Sequence, residues 1–152
     1  MTKHIIALTL LLNVALFARL AAGQCLEYEP TIVTLTGTVV RETHPGPPHF
    51  EDVSKGDRPE TIWVLRLDTP ICMRAGDELN VPENEIKEIQ LVLTSEQYEQ
   101  YRHFVGSRVK ATGSLYHSNT GHHHKSLLLK TREILRTHNT ASNPDLQERR
   151  AG

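Results

Sequence analysis

One short helical segment, set late in a chain that otherwise alternates, constrains the fold more than any other feature. Thr94 is a good N-cap, and Gln97 three residues on completes a capping box. Leu93 and Tyr98 flank that cap as a hydrophobic staple. Tyr98, Tyr101 and Phe104 or Val105 make one apolar face, and Gly106 is a natural stop. Those aromatics read as a helix sealing a core, not as a cofactor box.

Three alternating segments precede the helix and two follow it. Ile32–Val40 places Val33, Leu35, Gly37 and Val39 on one face and threonines on the other. Gly37 inside a strand points to a bulge or sharp bend. Thr61–Leu67 puts Trp63, Leu65 and Leu67 on one face, and Pro70 limits pairing beyond it. Trp63 is expected to pack in the core. In Ile86–Leu93, Ile89, Leu91 and Leu93 alternate with Glu88 and Gln90. Arg108–Tyr116 and Lys125–Ile134 are the fourth and fifth strands. Strand, strand, strand, helix, strand, strand predicts a mainly β domain, a small five-stranded OB-like barrel with one helix between strands 3 and 4. A different small barrel, or an open sheet with one helix on it, is the alternative.

The chain ends carry other signals. Lys3 and His4, the apolar run Ile5–Ala18 and the small residues Ala21-Ala22-Gly23 follow the order of a secretory signal peptide, residues 1–23. The apolar run is short for a membrane anchor, and Arg19 interrupts it. A domain over 24–136 follows, then a tail over 137–152 that lacks periodicity and is expected to be disordered. Without Lys3 and Arg19 the formal net charge of −1 falls to about −3. With no basic block either, no nucleic-acid partner is expected. The two cysteines, Cys25 and Cys72, are expected to pair in an oxidising compartment, secreted or periplasmic. No membrane anchor is expected after cleavage.

Several motifs occur in a fixed order: Cys25, Tyr28 and Pro30; Gly46-Pro47-Pro48; Leu67-Asp-x-Pro-Ile-Cys72; and Thr120-Gly-His-His-His124. Together they resemble an uncharacterised family of small secreted bacterial domains. The resemblance implies a bacterial envelope setting and no established activity.

Two loops carry the candidate chemistry. In an OB-like fold, the loops joining strands 1–2 and 4–5 flank the ligand face. Here these are His44-Pro-Gly-Pro-Pro-His49 and the turn inside Tyr116–Lys125, which holds four histidines. The candidate ligand-binding residues are therefore Pro47, Pro48, His49, Thr120, His122, His123 and His124. With a turn at Ser118–Gly121, His117 would sit opposite His122. His124 would share the face of His122, and His123 would point away. His117, His122 and His124 are then candidate ligands for Zn(II), Cu(II) or Ni(II), with His44 or His49 adding to them. The bland alternative is that the histidines hydrogen-bond the turn and one another.

No serine or cysteine lies in a nucleophile context. His124 beside Asp52 or Asp57 is the remaining acid–base pairing to consider. The expected function is a non-enzymatic binding or accessory module with its site at the loop rim, taking a small ligand, a glycan or an envelope protein. A metal-dependent enzyme, or a structural or inhibitor-like envelope protein, are the alternatives.

Overall fold

The structure, a computed structural model, describes residues 25–137. The expected signal peptide, residues 1–23, and the expected tail beyond Thr137 lie outside the described residues. Five strands and one short helix appear in the expected order: β1 (Ile32–Pro45), β2 (Pro59–Met73), β3 (Glu83–Val92), α1 (Ser95–Tyr101), β4 (Arg108–His117) and β5 (Leu127–Arg136). The strands join in a closed ring, β1-β2-β3-β5-β4 and back to β1. All pairs are antiparallel except β3 with β5.

The inward side chains form the core. Val39, Leu65 and Ile89 stand in one row across three strands. Trp63, Leu91, Leu129 and Leu115 stand in the next, across β2, β3, β5 and β4. All of them are buried, and Trp63 meets the α1 residue Tyr98 edge-to-face at 5.2 Å. The capping box forms as expected between Thr94 and Gln97. Gln97 also reaches past it, donating from Nε2 to the carbonyls of Thr131 and Arg132, which ties the helix to β5.

Gly37 works by close approach rather than by a bulge. β1 shows no register shift there against β2 or β4. A Cβ at Gly37 would stand 2.2 Å from the Arg66 carbonyl oxygen, and one at Gly113 2.3 Å from that of Lys130. Removing both side chains lets neighbouring strands pack tightly around the ring.

Several boundaries depart from expectation. β1 continues past Val40 to Pro45, because Arg41–Pro45 pair with the start of β2. β2 runs on to Met73, and Pro70 falls in the stretch between Arg66 and Ile71 where pairing with β3 lapses, so it breaks no ladder bond. The Cys25–Cys72 disulfide forms. Beside it the Leu26 N–H donates to the Cys72 carbonyl, and the Arg74 N–H to that of Leu26.

The outer face of the sheet is not simply solvated. Val40, Val64, Gln90, Leu128 and Tyr116 form one row across it. Val64 and Leu128 are fully buried, Ile62 and Gln90 nearly so, yet none belongs to the inner core. Gln90 keeps the expected alternation with Ile89 and Leu91, but its polar side chain is buried on the outward face. Its cover is the histidine turn.

Candidate functional site

His117 pairs with Leu127, so the connection between β4 and β5 spans 118–126, longer than the turn expected at Ser118–Gly121. His122 therefore does not sit opposite His117 on a strand. His117 turns its Nδ1 to the Ser118 carbonyl at 3.1 Å instead. Among the described residues, no group of three or more His, Cys, Asp or Glu is arranged to hold a metal ion. The His117–His122–His124 grouping is not assembled, because the longer turn carries the last two away from the β4 strand.

The turn folds back onto the outer sheet face, where three anchors hold it. The first is Gln90 of β3. Its Nε2 donates to the His122 carbonyl at 3.0 Å, and its Oε1 accepts from the His124 N–H at 2.8 Å. One buried amide thus satisfies two backbone groups, as a neighbouring strand would. The second is Glu60 of β2, whose oxygens meet His122 Nδ1 at 2.7 Å and His124 Nε2 at 3.1 Å. Partial burial pushes the Glu60 carboxyl up, but the hydrogen bonds and charges of His124 and His122 outweigh it and leave the carboxyl below its usual range. The third is Lys125, held between Glu88 and Glu42 with its ammonium 3.0 Å from the latter. Burial opposes the Lys125 charge, and its bonds to Glu88 and Glu42 more than restore it, so its pKa rises. Arg66 bridges the same two carboxylates from β2.

His123 takes part in none of these three anchors and lies half-buried beside them. Its Nδ1 accepts from the Asn119 N–H at 3.0 Å, and its ring meets Tyr116 edge-on. Burial, then the charges of His122 and His124, push its pKa below 6.5. An accepting Nδ1 requires that nitrogen to be unprotonated. Thr120 is exposed, and its carbonyl accepts from the His123 N–H.

The other loop, 46–58, is organised around Asp57. This nearly buried carboxylate accepts from the backbone N–H groups of His49, Glu51 and Asp52 at 2.8–2.9 Å. Those of Asp52, Glu51 and His49, with the His49 ring 3.3 Å away, hold the Asp57 carboxyl down to about 2. Asp57 is committed to its own loop, and Asp52 caps the short 3-10 turn Val53–Lys55. The carboxylate beside His124 is Glu60.

The two loops meet. Phe50 stands edge-on to His122 at 5.3 Å and lies against Gly121, where a Cβ would come within 3.2 Å of its ring. His44, at the end of β1, stacks on His124 at 4.4 Å and reaches Glu42. Pro47, Pro48 and His49 have other surroundings: the Pro47 carbonyl accepts from the Arg58 N–H, His49 caps Asp57, and Pro48 is exposed.

Between the turn and α1 lies an open groove of about 210 Å³, with Glu60, Ile62, Gln90, Leu93, Tyr98 and His122 in its wall. Burial, then the Glu60 charge, raise the Tyr98 pKa. Sequence reading missed Glu60, Gln90, Phe50 and the Glu42–Glu88–Lys125 set. One signal was available for part of this: Ile62-Trp-Val-Leu65 is apolar on both faces, which a strand covered on both sides requires. Nothing in the sequence marks Gln90.

Residues 88–135 match DUF4431, a domain of unknown function. The matched stretch covers β3 from Glu88, the helix, β4, the histidine turn and nearly all of β5; β1, β2 and the 46–58 loop lie outside it. No curated protein matches the chain.

Proposed function

We propose that this chain is a secreted or periplasmic, non-enzymatic binding module of OB-like fold, whose ligand site is the rim where the two loops meet. The OB-like reading is supported by the ring order, the parallel β3–β5 pair and the helix between β3 and β4. The secreted setting is supported by the Cys25–Cys72 disulfide, a bond that persists in oxidising compartments. One observation carries the binding reading. Loops far apart in sequence join through Phe50, His122 and Glu60 beside an open groove that mixes apolar wall with a carboxylate and an imidazole. Such a groove suits a small polar ligand or the end of a glycan or peptide chain. His122, with Nδ1 on Glu60, keeps its Nε2 for that ligand. Thr120, His123 and His124 shape the turn behind it, and Pro47, Pro48 and His49 brace the loop that presents Phe50.

A fragment library followed by ¹⁵N–¹H chemical shifts tests this. Saturable shifts confined to Thr61, Ile62, Leu93, His122 and His123, and lost in a folded His122→Ala variant, are expected. Fragments that bind elsewhere, or that bind the variant equally well, would refute the rim site.

A further inference from the structure

We propose that the histidine turn, residues 118–126, is an acid-released strap that is docked on the outer sheet face at neutral pH and detaches in acid while the strand ring stays folded. The proposal rests on the rim-site reading only in its consequence, since detachment would dismantle the groove that the turn helps to wall.

The geometry is that of a detachable cover. The turn contains no helix or strand. It is bonded to Gln90, which shares the outer face with Ile62, Val64 and Leu128, buried apolar side chains that the inner core does not include. Apart from Gln90, the Ser126–Glu83 hydrogen bond and the ring contacts of Phe50, His44 and Tyr116, its anchors are ionic or imidazole–carboxylate contacts. From β1 the facing groups are Glu42 and His44; from β2, Glu60 and Arg66; from β3, Glu83 and Glu88; from β4, Tyr116. The turn supplies His122, His123, His124 and Lys125, and Tyr98 of α1 faces Glu60. Four carboxylates thus face two fixed cations and four imidazoles.

The sign of the pH response follows from that inventory. Glu88 is lowered first by the Lys125 hydrogen bond, against burial. In Glu42 burial pushes upward, and Lys125, His44 and Arg66 outweigh it. Glu60 is lowered as described above. All three therefore stay ionised to below the ordinary glutamate value of 4.5. Once they protonate, Lys125 and Arg66 are left as unbalanced positive charges, and the imidazoles of His44, His122 and His124 lose their carboxylate partners. A protonated His123 also loses the bond its Nδ1 accepts from Asn119.

The test needs no ligand, so its failure and that of the rim reading are separable. ¹⁵N–¹H spectra of the disulfide-intact protein are recorded from about pH 6 to about pH 3. The amides of Ser118, His123 and His124, all hydrogen-bonded in the docked turn, should move to unstructured shifts with a midpoint below 4.5, while those of β1 and β5 keep their dispersion. A Glu42→Gln/Glu60→Gln/Glu88→Gln variant should show the released turn at about pH 6; if it fails to fold, the wild-type titration decides alone. Turn amides that keep their shifts at the lowest pH, or that melt together with the strands, would overturn the proposal.

Discussion

At the scale of single residues, the informative side chains are polar groups that hold backbone. Asp57 gathers three N–H groups of its loop, and Gln90 gathers a carbonyl and an N–H of the histidine turn. Each does for an irregular segment what a ladder does for a strand. The Asp57 carboxyl, at about 2 when folded against an ordinary 3.8, contributes stability that is complete above the higher value and lost as pH falls through the lower. Urea melts between about pH 5 and about pH 2 should therefore show an acid-dependent loss in the wild type that Asp57→Asn lacks. The variant should be the less stable at the upper end, and the two should converge at the lower. Parallel curves would show that the Asp57 carboxylate does not govern the loop.

Among the elements, the strands are positioned by what the chain leaves out. β1 pairs with β4 from Ile32 to Thr38 and with β2 from Gly37 to Pro45, so the residues around Gly37 are shared by both neighbours. The absent side chain at Gly37 is where β2 comes closest. Gly37→Ala would set a methyl group 2.2 Å from a backbone oxygen that no rotamer change can move. The strands must separate, which costs about 1–3 kcal/mol or more. Chemical denaturation should show a lower midpoint with an unchanged slope; a midpoint equal to that of the wild type would mean the ring tolerates the opening. The histidine turn is the opposite kind of element, fixed by side chains of β1, β2 and β3 rather than by its own backbone pattern.

For the whole molecule, closure is tied at the disulfide. Cys25–Cys72 joins residues 47 apart in sequence and fixes the segment before β1 to the far end of β2. A loop of that length restricts the unfolded chain by about 4 kcal/mol in the loop-entropy account. Reduction, or a Cys25→Ala/Cys72→Ala variant, should lower stability by roughly that amount in urea melts with and without reductant. Equal midpoints would mean that the buried core and the Leu26 backbone bonds suffice.

The sequence by itself determined the elements, their order, the helix with its capping box, the inward set around Trp63, Leu65 and Leu91, and the cysteine pair. Those features are written in local periodicity, cap chemistry and composition, which act over a few residues. Only the tertiary structure decided what the histidines touch. Glu60 is 62 residues from His122, and Gln90 is 32. Neither carries a local signal, because a buried amide or carboxylate is specified by the partner that folding brings to it. The same reason explains the misplaced turn: whether β4 ends at Tyr116 or His117, and β5 begins at Lys125 or Leu127, depends on the row of Gln90, Leu128 and Tyr116 across three strands. Thus the periodicity of a strand names its faces. Which outward face is then covered, and by which loop, is settled by closure of the ring.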